Sequence, residues 1–128
     1  MSRSDYTDDT EDYWRHIMWR GAVSSAIKGK RGQALLKEML ATLDAMPVKR
    51  LISEELQDED GDNCAMGAVA KARGVKMEGI DPFDYAAVAD VMGVSTALVR
   101  EIAHENDEYR TDDERWVYMR AWVVEHIK

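Results

Sequence analysis

The sequence predicts an all-α protein, a compact single-domain bundle of six to seven short helices. Three observations carry that expectation. Apolar residues recur at helical spacing through most of the chain, and no segment alternates apolar and polar residues long enough to read as a strand. Ala, Met, Leu and Glu are plentiful, while only two prolines and one phenylalanine occur, a composition that favours helix. Helix punctuation is most complete from Asp81 to Asn106. There Asp81 is a suitable N-cap, Pro82 suits a first helical position, and Tyr85, Val88, Ala89 and Met92 share one face. Gly93 can adopt the left-handed conformation that ends a helix, and Ser95 caps a second one with Leu98, Val99 and Ile102 on its apolar side. Helix, Gly-Val-Ser turn, helix is the punctuation of a helix-turn-helix-like pair, here at about 82–106.

The other elements follow in order. Residues 1–9 read as a flexible acidic tail and 10–128 as one helical domain. A first helix is expected from near Thr10 to about Ile27, with Trp14, Ile17, Met18 and Gly21 to Val23 inward and Arg15, His16 and Arg20 outward. Trp14 and Trp19 are expected to be core or half-buried residues. Lys28-Gly29-Lys30-Arg31-Gly32 interrupts the helical pattern. A second helix, about Gln33 to Ala45, carries the stripe Leu35, Leu36, Met39, Leu40 and Leu43. Pro47 is expected to open a third, with Leu51, Ile52 and Leu56 inward and Lys49, Arg50, Glu54 and Glu55 outward. After an acidic loop around Gly61, Asp62 or Asn63 is expected to cap a helix from Cys64 to Arg73 that Gly74 ends. Its small residues predict a central helix approached closely by its neighbours. Thr111 and Glu114 form a capping box for the last helix, which runs to about His126 with Trp116, Met119, Val123 and Ile127 on one face and Trp122 off it, partly exposed.

The chain has 128 residues, enough for one domain to bury a core without metal or disulfide. Its single cysteine, Cys64, excludes an internal disulfide and fits a reducing cytosol. The polar, acidic first residues do not resemble a signal peptide, and no apolar run approaches the ~20 residues that span a bilayer. A cytoplasmic protein with no membrane partner is expected. The net charge of −8 disfavours nucleic acid as a partner without excluding a local basic patch.

Candidate sites follow from residue chemistry. Arg20, Lys28, Lys30 and Arg31 form the best anion, phosphate or partner-binding group, because three of these cations sit where a helix begins. Thr96, Arg100 and His104 would face outward on the second helix of the 82–106 pair, where a recognition helix meets DNA. Glu101 and Glu105 lie beside them and would repel phosphate. Asn106 and Asp107 form a polar pair that either functions or caps the preceding helix, with capping favoured. The loop Asp58 to Asn63 is no EF-hand: counting from Asp58, glycine falls fourth and the twelfth residue is Val69. His104 and Glu108 alone do not make a metal site. No catalytic constellation stands out, so no catalytic residue, metal or cofactor is assigned.

Four runs carry a family likeness: Lys28-Gly29-Lys30-Arg31-Gly32-Gln33-Ala34-Leu35-Leu36, Leu43-Asp44-Ala45-Met46-Pro47, Cys64-Ala65-Met66-Gly67-Ala68 and Glu101 to Glu108. Together they resemble a group of small uncharacterised proteins of bacteriophages and prophages. The Cys-x-x-Gly-Ala and Asn-Asp elements are also similar to a wider bacterial family of unknown function. The resemblance implies a phage setting in a bacterial host cell and brings no activity. The expected function is that of a non-catalytic accessory protein binding a host or phage macromolecule, such as a host enzyme or defence system that it inhibits. A protein partner is expected, and a homo-oligomer is compatible with the sequence. The alternative is a helix-turn-helix DNA-binding regulator.

Overall fold

The computed structural model describes residues 5–128, with side chains from Trp14 onward. Among the described residues there are six helices and no strand: α1 Asp5–Lys28, α2 Lys30–Ala45, α3 Ala65–Arg73, α4 Tyr85–Met92, α5 Thr96–Asp107 and α6 Asp112–His126. Residues 5–9 of the expected tail belong to α1. Helices α1, α3 and α6 each pack against both α2 and α5, and α4 joins the bundle through α5. None of the described helices is long and apolar enough to cross a membrane.

The core follows the helical stripes. Leu35, Leu36, Met39 and Leu43 of α2 are fully buried, as are Leu98 and Ile102 of α5 and Met119 and Val123 of α6. Each such side chain contributes about 2 kcal/mol on leaving water. Helix α3 is buried continuously from Ala65 to Ala70, and its small residues allow a close backbone approach. A Cβ at Gly67 would stand 1.9 Å from the Leu56 carbonyl oxygen. Gly74, at φ 76, ends α3 in the left-handed conformation.

Several expectations change. Residues 46–64 form no helix after Pro47. Their backbone groups are satisfied by distant partners instead: Leu51 N donates to Asp112 O, Ile52 N to Asn63 O and Cys64 N to Leu56 O. Leu51, Ile52 and Leu56 still point inward and Lys49, Arg50, Glu54 and Glu55 outward, but on irregular chain. Helix α4 begins at Tyr85, capped by Asp84 through Ala87 N. Asp81 makes a turn before it, its Oδ1 accepting from Phe83 N at 2.9 Å. Neither Asp62 nor Asn63 caps α3; Cys64 does, with Sγ accepting from Gly67 N at 3.3 Å.

Helix α1 is turned from its expected orientation. Trp14, Ile17 and Met18 are exposed, whereas Trp19 is half-buried and Val23 and Ile27 enter the core. Burial of Val23 and Ile27 sets that face inward, while Arg20, exposed as expected, reaches Glu101 on α5 at 3.2 Å. Trp122 is 8% exposed, not partly solvated; the packing of α6 against both α2 and α5 encloses more than one of its faces.

Candidate functional site

Two surfaces of α5 matter, and the sequence pointed to both ends of that helix. At its N-terminal half, α4, Gly93 and α5 keep the punctuation of the helix-turn-helix-like pair. Gly93 has φ 72, and Ser95 Oγ accepts from Leu98 N at 3.2 Å. Thr96, Arg100 and His104 are all exposed along one side of α5. Helix α1 lies against that side. The Trp19 ring has the Arg20 and Arg100 guanidinium carbons each 5.4 Å from its centroid. The imidazoles of His16 and His104 flank it at 6.3 and 6.2 Å. Arg20 also meets the buried Glu101 carboxylate at 3.2 Å. Arg20 and Arg100 are therefore held against an indole, where each cation–π contact is worth about 0.5–1 kcal/mol.

Arg20 is thereby separated from the basic corner it was grouped with. Lys28 is eight positions further along the helix, an axial rise of about 12 Å. Lys28, Lys30 and Arg31 stay together and exposed at the α1–α2 corner. Lys128 joins them, its Nζ donating to the Lys28 carbonyl at 2.9 Å. The corner is tight, because a Cβ at Gly32 would stand 1.8 Å from the Ala26 carbonyl oxygen.

At the other end of α5, Asn106 is 1% exposed and fully engaged. Its Oδ1 accepts from Ala65 N, the first amide of α3, at 3.0 Å. Its Nδ2 donates to Ile52 O at 2.8 Å and to Asp107 Oδ1 at 2.9 Å. Asp107 Oδ1 also accepts from Glu54 N at 3.3 Å. Asn106 thus satisfies the first amide of α3 and not of its own helix, and Asp107 ties down the irregular segment through Glu54 N. Glu54 has φ +63, the single positive value at a non-glycine among the described residues. Such a conformation costs about 1–2 kcal/mol, and the Asp107 bond holds it. The strained turn sets Glu54 and Glu55 at the mouth of a groove.

That groove runs between the 54–59 segment, the Pro82–Phe83 turn and α5. Its centre is a cavity of about 30 Å³ walled by Leu56, Cys64, Met66, Tyr85, Val88 and Ile102, room for about one water molecule. Glu55, Leu56 and Pro82 are shared with an open cleft of about 520 Å³ on one side. Phe83, Tyr85, Ala103 and Asp107 are shared with another of about 390 Å³. Carboxylates rim the whole course: Glu54, Glu55 and Asp107 at the centre, Asp58, Glu59 and Glu78 at one end and Glu108 at the other. Among the described residues no lysine or arginine lines it. Phe83 stands in it 57% exposed. Burial pushes the Cys64 thiol up to about 11 against smaller opposing effects of backbone hydrogen bonds, so it is a neutral wall of the cavity at pH 7. Burial, then Glu108 and Glu101, raises the carboxyl of Glu105 above the usual range.

Among the described residues no three His, Cys, Asp or Glu side chains converge as a metal site would require. Comparisons with protein-family models, with curated proteins and with solved structures found no match to this chain. Sequence reasoning reached Asn106 and Asp107 but missed the groove they organise. Phe83 was the available signal: the sole phenylalanine, placed after a proline outside any helical stripe.

Proposed function

We propose that this chain is a non-catalytic accessory protein that acts by binding another protein. The observation that carries the reading is α1 lying on the cationic side of α5, with Arg100 and His104 against Trp19. A DNA major groove is about 12 Å wide and admits one helix of about 10–12 Å diameter. It does not admit α5 with a second helix across its only arginine. The buried Glu101 beside that arginine, and the net charge of −8, add to the cost of approaching phosphate. The phage setting and the cytoplasm of a bacterial host are part of this proposal and rest on the sequence resemblance. Within that setting, inhibition of a host enzyme or defence system is the role that suits a small acidic binder.

The second reading is a helix-turn-helix regulator, favoured by the left-handed Gly93 and the Ser95 cap. It requires α1 to leave α5. Retention on nonspecific and mixed-sequence duplex at low salt separates the two. The protein-binding reading expects no retention, and no change on Arg100→Ala. Salt-dependent retention that Arg100→Ala weakens would install the regulator reading in its place.

A further inference from the structure

We infer that the groove between residues 54–59, Pro82–Phe83 and α5 is a docking site for a basic amphipathic helix of a partner protein. The inference rests on the protein-binding reading above and adds the place and the chemistry of the partner.

The groove has two properties that together select such an occupant. Its floor is apolar, with Leu56, Met66, Tyr85 and the exposed Phe83 along its course. Its banks carry carboxylates and, among the described residues, no lysine or arginine. A helix with an apolar stripe flanked by Lys and Arg matches both, because the stripe covers Phe83 while the long cationic stems lie along the walls and their heads reach the acids. The acids attract such a segment from a distance and raise its association rate. The same acids exclude a nucleic acid and an anionic membrane surface. The closed centre, about 30 Å³, has room for about one water molecule, and the clefts of about 520 and 390 Å³ on either side are open, so the groove offers an elongated surface and not an enclosed pocket.

The backbone supports the assignment. Glu54 is kept in a left-handed conformation by Asp107, which Asn106 in turn orients. Strain of this kind persists only where surrounding structure fixes it, and it concentrates at binding surfaces. Here it fixes the backbone that carries Glu54 and Glu55 before any partner arrives, which reduces the ordering cost of binding.

The test uses the full chain and three labelled peptides of about 18 residues, five helical turns. The first is built of Leu and Lys with an apolar helical face; the second has the same composition scrambled so that no face exists; the third replaces Lys by Glu. Fluorescence anisotropy should give saturable, one-to-one, salt-sensitive binding of the first. The scrambled and acidic peptides should bind at least about tenfold more weakly. Phe83→Ser, and separately Glu54→Gln with Glu55→Gln, should each weaken the first peptide about tenfold. Both sets of side chains are exposed, so these variants keep the fold, which circular dichroism checks. Equal binding of scrambled and amphipathic peptides, indifference to both variants, or no binding at all would overturn the inference. So would sedimentation showing a dimer that Phe83→Ser dissociates, because the occupant would then be a second copy. A duplex that binds removes the protein-binding reading itself; a duplex that is ignored while the peptide bypasses the groove removes only this docking site.

Discussion

Asn106, near the end of α5, accepts the first amide of α3 at 3.0 Å, from Ala65, forty-one residues earlier in the chain. A helix N-terminus carries four amides without intrahelical partners, and here one of them is satisfied by a side chain from another helix. The same amide group donates to Ile52 O and Asp107 Oδ1, so one residue joins α3, α5 and the irregular segment. Asn106→Ala leaves the Ala65 N–H and the Ile52 C=O buried without partners. Each such group costs about 1–3 kcal/mol. The variant should lose about 3 kcal/mol in urea denaturation. Asn106→Asp should also be destabilised at pH 7, since it removes the donor to Ile52 and sets a second carboxylate beside Asp107.

Gly67→Ala should be as severe. The added Cβ meets the Leu56 carbonyl oxygen at 1.9 Å, and backbone on both sides leaves little room to yield. Overpacking of this kind costs about 1–3 kcal/mol or more. Gly61→Ala has nothing within 4 Å but a φ of +85. It should cost only the left-handed backbone penalty of about 1–2 kcal/mol. Thermal melts of the two variants separate the steric effect from the conformational one.

Trp19 should decide how firmly α1 sits on α5. Trp19→Ala removes the surface shared by Arg20 and Arg100, and hydrogen exchange in α1 should speed up while α2 and α6 stay protected. Trp19→Phe keeps a ring beside the two guanidinium groups and removes an indole N–H that is buried without a partner among the described residues. That variant should melt within about 1 kcal/mol of the parent. If Trp19→Ala leaves α1 exchange unchanged, the ring is not what anchors that helix.

Stability should fall at both ends of the pH range. The Arg73 guanidinium, bonded to the Glu38 carboxylate, holds its pKa below 4.5. A carboxyl depressed by folding stabilises the protein above its unfolded value, and the benefit disappears as pH falls through the native value. The pair is partly exposed, so its worth is within about 1 kcal/mol. Glu38→Gln should flatten that part of the acid limb. Burial raises the Cys64 thiol from 9.0 to about 11. A raised thiol contributes fully below 9.0 and loses its contribution as pH climbs toward 11. Cys64→Ser keeps an N-cap for α3 and should remove the alkaline loss. Native Cys64 should also react slowly with a disulfide reagent at pH 8, where only about one thiol in a thousand is ionised.

The amino-acid sequence by itself determined the helices and their ends wherever the controlling interactions are local. The α2 stripe, the left-handed Gly74 and Gly93, the Ser95 cap and the Thr111 cap with Glu114 all act within a few residues. The helix expected from Pro47 through Leu56 is irregular chain, because the hydrogen bonds of this region go to Asp112, Asn63 and Leu56, partners that no periodicity encodes, whereas the acidic loop expected at 57–63 is a loop. Likewise Asn106 and Asp107 were visible as a polar pair, but the partners they take depended on α3 and the 52–54 segment being brought to the end of α5. The orientation of α1 and the groove under Phe83 were decided by tertiary structure alone. Each depends on which of two compatible faces finds the better partner across the bundle, and that comparison exists only once the helices have met.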